Sequence, residues 1–509
     1  MAKAITGVRV RLNTVFCIAG LMLLASGATA ASAQPAAQVR TDLTPGPVAN
    51  GLVGLTFNAT YESFEYPAAI YVRDGKVDKA KTHPDQVQAG RFTGRSADGV
   101  HVVVRADRSN GLYIAGKSDF TLTRAKVEVF GNSAGWDENF GLGAGATVGE
   151  GATLTVRDST FETHGIKSLA LAAANGTLRV YKSRLHAFGG DVSAQNMIPG
   201  TGPGYVGAPE ALNIVGTART ANVVGSGKAY YYDSTIISEG WGALSTDSAR
   251  PYVYLEVNNC DVEARNGGYG LYADIGAEVV ANSSRFKSTD YTGIISGDGK
   301  IRLNDVIEDG AIHGVMMHAP GQDFLKTADL RIKGGHYRTR NASLLVLSAN
   351  ADIDLDGVDL QPADGVLLRS EINPSKRQPL LRWLLDPKKA EDIRTGPITG
   401  IHLALRNMTA TGNIEHADTT RPLAIDLTGT TLKGSVTGSV WTITDVTLRM
   451  GAGARWSATA DSRVTLLEAT DAGAFDAPPG VTITAIAGKG TTLKGRYTLA
   501  TGGVLIVKS

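Results

Sequence analysis

The chain has 509 residues, 61 glycines, only 6% aromatic residues and a formal net charge of +1. Charge so close to balance, with no Lys/Arg stripe, excludes the footprint of a nucleic-acid binder. Two cysteines, Cys17 and Cys260, are too few for a disulfide-stapled fold.

At the N-terminus, Lys3, Arg9 and Arg11 precede an apolar run from Val15 to Ala25, and Ala31-Ser32-Ala33 stands before Gln34. This is the pattern of a secretory signal peptide over 1–33, with an A-x-A cleavage site. The run is shorter than the roughly 20 residues a spanning helix needs, and no later stretch is more apolar. An exported chain with no transmembrane segment after cleavage is expected, destined for the periplasm, the cell surface or the medium. Residues 34–50, rich in Ala, Gln, Thr and Pro, read as a linker to a folded region over 51–509.

From Phe120 onward a pattern of three apolar residues, φ-x-φ-x-x-x-x-φ, recurs. Its copies include Phe120/Leu122/Val127, Leu154/Val156/Phe161, Leu178/Val180/Leu185, Ala229/Tyr231/Ile236, Leu255/Val257/Val262, Val279/Ala281/Phe286, Leu330/Ile332/Tyr337, Ile353/Leu355/Leu360 and Ile425/Leu427/Leu432. The first two members lie two apart, the strand period, and a polar turn such as Asp233-Ser234 follows. Steps cluster near 24 residues, and the two steps of 51 are expected each to hide one irregular copy, with Ile301 and Leu303 in the second. A unit this short cannot bury its own apolar side, so copies must stack around a shared interior. The expected fold is an all-β parallel β-helix, a solenoid of about 24 residues per coil. About sixteen to eighteen coils at 4.8 Å each would make a rod of roughly 80 Å.

The pattern also says which outward side chains should lie above one another. Glu256, Val280, Arg302, Arg331 and Asp354 form one expected column, and Asn258, Asn282, Asn304, Lys333 and Asp356 another. The three asparagines are a candidate amide ladder. Cys260 holds the place taken by Ser159, Ser183, Ser234 and Ser284, so it is expected to act as they do. Asp352, Asp354 and Asp356 before Gly357 imitate the start of an EF-hand loop, but the closing acid is replaced by Ala363, and a strand is expected. His313 and His318 lack a recognisable third metal ligand. Gly202 to Gly207 matches G-x-G-x-x-G without the strand that should precede it, and reads as a turn. The stretch 370–397, with Pro374, Pro379 and Pro387 around Leu380 to Leu385, breaks the pattern and reads as a loop inserted between coils.

Near the C-terminus, Arg455-Trp456-Ser457-Ala458-Thr459-Ala460-Asp461-Ser462-Arg463-Val464 leads to Leu466-Leu467, and the chain closes on Tyr497-Thr498-Leu499 and Gly502-Gly503. These residues resemble the C-terminal coils of pertactin-like autotransporter passengers. The earlier coils resemble the wider right-handed β-helix, pectin-lyase-like superfamily, so the resemblance implies a right-handed coil. The translocator barrel of autotransporters has no counterpart in the sequence.

Superfamily lyases use outward carboxylates to hold Ca²⁺ and an Arg or Lys to take a proton beside a uronate. The resemblance therefore makes Arg302, Arg331, Lys333, Asp354 and Asp356 the candidate catalytic group, with Asp354 and Asp356 its candidate metal ligands. Its hydrolases need an adjacent Asp-Asp pair, which the chain lacks. The leading expectation is a non-enzymatic, adhesin-like protein that binds a glycan, matrix or cell-surface partner and needs no cofactor. A Ca²⁺-dependent polysaccharide lyase and a structural envelope protein are the alternatives.

Overall fold

The computed structural model describes strands at 41–45 and 55–59, and residues 66–133, 137–190, 212, 214–247, 252–319, 326–372, 399–438 and 446–509. The chain is all-β and is built of long parallel sheets, an arrangement compatible with a β-helix or another solenoid. The strands recur in a fixed order on three faces. Face A is a 14-stranded sheet running from the Ala68–Arg73 strand to Val436–Thr437. Faces B and C meet at tight corners in a 27-stranded sheet, and a 4-stranded sheet continues face C.

The apolar triplet maps onto faces B and C. On face B, Phe120, Leu154, Leu178, Ala229, Leu255, Val279, Ile301, Leu330, Ile353, Leu403, Ile425 and Leu448 lie in register from strand to strand. On face C the third members align as Val127, Phe161, Leu185, Ile236, Val262, Phe286, Glu308, Tyr337 and Leu360. All but Glu308 and Tyr337 are apolar throughout, and every one is buried. Stacking identical positions gives each interior side chain a neighbour above and below, so the core is continuous along the stack.

Two sequence expectations need correction. Leu178 pairs directly with Ala229, so the first step of 51 residues hides no copy; it is one step enlarged by the connection 188–218. The second does hold one, Lys300–Asn304. Face B, from Asp119–Thr123 to Val504–Lys508, spans roughly 70 Å. Within the stretch read as a linker, Thr41–Pro45 pairs antiparallel with Leu55–Ala59. The expected signal peptide, residues 202–207 and nearly all of the 370–397 insertion lie outside the described residues. Among the described residues no helix is long and apolar enough to cross a membrane.

The corner from face B to face C is the most uniform part of the molecule. From 124–125 to 429–430 it is always two residues long. The first of the two is always left-handed: Arg124, Asp158, Lys182, Asp233, Asn259, Ser283, Asp305 and Asn407, with glycine at 334, 357 and 429. Asn, Asp and Gly tolerate that conformation best, which is why they punctuate the repeat. The second residue turns inward. Ser159, Ser183 and Ser234 each donate a hydroxyl to the carbonyl two residues back and accept a backbone N–H from the preceding copy. Cys260 does the same through sulfur, accepting from Ser234 N at 3.5 Å and donating to Asn258 O at 3.3 Å. Burial pushes its thiol up to about 11, which keeps it protonated and unreactive.

Candidate functional site

Because the B-to-C corner has no room for extra residues, longer connections fall at the two edges of face A. Connections entering face A include 130–145 and 188–218, and those leaving it include 247–253, 319–326 and 372–400. In stacked-repeat proteins, insertions gathered around one face mark the binding face. The outer side of face A is therefore the place to look for chemistry.

Its centre is a polar network on buried Arg219. Arg219 Nη1 donates to Asn139 Oδ1 at 2.7 Å, while Nη2 donates to Asn222 Oδ1 and to Asp247 Oδ2, both at 3.0 Å. Asn222 Nδ2 donates to the same Asp247 oxygen at 2.7 Å and to the Asn139 carbonyl at 2.7 Å. Register explains the meeting: Asn222 aligns with Ser245, and Asp247 follows that strand. A buried guanidinium needs its charge matched, which Asp247 does, and Asp247 with the two asparagines engages both terminal nitrogens.

Aromatic rings surround the network. The Trp241 ring lies 5.0 Å from the Arg219 guanidinium and 5.2 Å from the Lys167 ammonium. Trp241 reaches this position in a left-handed backbone conformation, φ 69°, costly for a bulky side chain. Its N–H is fixed by Val215 O at 2.8 Å, and the glycines at 216 and 240 let the two backbones touch there. Tyr269 shares a 2.8 Å hydrogen bond with Ser245, and Tyr291 stacks on His313 at 5.9 Å. Burial lowers the His313 pKa, although its bond to Ala342 O opposes this. Asp247, Asp274 and His313 are partly exposed and form a rim around the buried floor. Planar amides, one guanidinium and one carboxylate beside ring faces suit a ligand carrying hydroxyls on an apolar ring skeleton.

The charged residues singled out by sequence lie elsewhere, on the outer side of face B. Arg302, Arg331 and Asp354 are neighbours in one column, and Asn304, Lys333 and Asp356 in the next, as the alignment anticipates. The asparagine ladder is formed: Asn282 Nδ2 donates to Asn258 Oδ1 at 2.9 Å, and Asn304 Nδ2 to Asn282 Oδ1 at 2.8 Å. The charges engage one another. Arg302 pairs with Asp329, Arg331 with Asp329 and Asp352, and Asp354 with Arg406 at 3.0 Å, while Asp356 accepts from Asn407 at 2.8 Å. Lys333, the exposed member of the five, forms no ion pair among the described residues. His402 extends the chain of charges, bridging Asp352 at 2.9 Å and Asp426 at 3.1 Å. Burial alone would lower its pKa, but the two carboxylates outweigh it and hold it above the ordinary histidine value. Among the described residues no group of three His, Cys, Asp or Glu could hold a metal ion.

The residues of face A escaped the sequence reading because they fall between copies of the triplet. One signal was available: Trp241 lies between two glycines, in Gly240-Trp241-Gly242, where a large ring on a turn invites attention. In comparisons with protein-family models, curated proteins and solved structures, nothing matches the chain.

Proposed function

We propose that the chain is an exported, right-handed parallel β-helix of about 24 residues per coil, of adhesin type, that binds a glycan on the outer side of face A. The observation that carries this reading is the convergence on one face: the longer connections start or end on its strands, and Arg219, Asn222, Asp247, Trp241, Tyr269 and Tyr291 gather there. The signal-peptide pattern and the passenger-like C-terminal residues support export and handedness. Binding is favoured over lyase chemistry because Arg302, Arg331 and Asp354 are held in ion pairs and Asp356 accepts from Asn407, which leaves Lys333 as the one candidate base outside this network.

The test is saturable binding to a panel of immobilised glycans. Asp247→Ala and His313→Ala, both at the partly exposed rim, should weaken the best binder about tenfold or more, the loss expected for a central contact. Lys333→Ala on face B should leave binding unchanged. If no glycan binds saturably, or the rim variants bind like the parent while melting at the same temperature, the assignment is wrong.

A further inference from the structure

We propose that the outer side of face B, across the strands Thr153–Arg157, Thr177–Tyr181 and Lys228–Tyr232, is a second binding surface whose ligand is an anionic polysaccharide. Register places Arg157, Tyr181 and Tyr232 in one column and Arg179 and Tyr230 in the next, with Lys228 at the start of its strand. Tyr181 and Tyr232 stack at 5.0 Å with planes 9° apart, and the Arg157 guanidinium covers the free face of Tyr181 at 4.2 Å.

Charge sets this patch apart from the arginines further along the face. Further along, Arg302, Arg331, Arg406 and Arg449 each meet a carboxylate. Arg157, Arg179 and Lys228 are exposed and, among the described residues, form no ion pair. Three cations without an ion pair among the described residues stand on successive strands about 4.8 Å apart, with Glu256, aligned beside Tyr230, as the carboxylate at the edge of the patch. Arg presents a planar fork that fits a carboxylate or sulfate, and the tyrosine edges and hydroxyls fit the apolar and hydroxylated sides of a sugar ring. The two-residue corner on one side raises no wall, so the surface accepts a long polymer rather than enclosing a small molecule.

The surface is independent of the face A site, and the experiment keeps them apart. The full chain is run by affinity electrophoresis through gels containing polygalacturonate, dextran sulfate or neutral dextran, and a single-stranded oligonucleotide is titrated alongside. At least one acidic polysaccharide should retard the chain, less so as salt is raised, and neutral dextran should not. The double variant Arg179→Ala/Lys228→Ala should lose about tenfold in affinity, as two charge contacts warrant. Tyr232→Ala, with every cation in place, should also weaken binding, which plain charge attraction would not predict. Lys333→Ala, further along face B and outside the patch, should retain it. Parent-like retardation of the double variant, no retardation of the parent by either acidic polymer, equal retardation by neutral dextran, or an oligonucleotide bound as tightly as the polysaccharides would each overturn the proposal. The polygalacturonate and dextran sulfate arms tell a carboxylate ligand from a sulfate one.

Discussion

Glu308 stands where every other copy of face C puts an apolar side chain or Tyr337, and it is completely buried. Ser288 N donates to its Oε1 at 3.3 Å, while Oε2 has no hydrogen-bond partner among the described residues. Burial, opposed only in part by the Ser288 and Thr292 groups, lifts its pKa from 4.5 to about 7. The native state therefore holds this proton more tightly than the unfolded chain does. Its contribution to stability is complete below pH 4.5 and is lost as pH rises through about 7. A shift of this size corresponds to roughly 3 kcal/mol. Between pH 5 and pH 8 the urea midpoint of the parent should fall, and Glu308→Gln should remove most of that fall. An unchanged pH slope in the variant would show that the carboxyl is not its source. This acid was legible in the sequence: with Ile301 and Leu303 as first and second members, the same spacing puts the third at 308. Its lack of a partner for Oε2 was not, because that depends on what Ser288, Thr292 and Tyr337 bring from other strands.

At the scale of single elements, faces B and C were legible and face A was not, for a physical reason. Strands on face B alternate, as in Tyr254–Asn258, because one side meets the core and the other meets water. Gly242–Thr246 and Tyr291–Ser296 on face A are buried along their whole length, so they carry no period of two. The site built on them could not be read from spacing. The corners imply a sharp contrast in tolerance. At 158–159, Asp158 N is bonded to Tyr181 O at 3.1 Å and Ser159 N to Ser183 Oγ at 3.1 Å, so added residues would orphan both and carry Phe161 out of the core. Inserting Gly-Ser-Gly-Ser after Asp158 should abolish the cooperative thermal transition seen by far-ultraviolet circular dichroism. The same insertion within 320–325, in a connection leaving face A, should leave that transition in place. Equal tolerance at the two positions would contradict the role given to the corner.

At the scale of the whole molecule, neighbours along the stack meet only neighbours, so stability should behave as a sum over copies and the interfaces between them. Leu255 aligns with Val279, which makes residues 255–278 one complete step. Deleting them joins Tyr254 to Val279 with the strand still in phase, so that Ala229 would meet Val279 on face B and Ile236 would meet Phe286 on face C. Deleting only 255–266 removes half a step and sets all three faces out of register beyond the junction. The full-step variant should stay soluble and unfold cooperatively at a modestly lower temperature, whereas the half-step variant should show no cooperative transition. The same deletion separates the two surfaces. Tyr269 and the rim residue Asp274 leave with the deleted copy, so glycan binding on face A should disappear. Arg157, Arg179 and Lys228 remain on strands before the junction, so retardation by acidic polysaccharide should persist. Loss of both activities in a variant that still melts cooperatively would mean that the surfaces act as one site, with the stack transmitting between its faces.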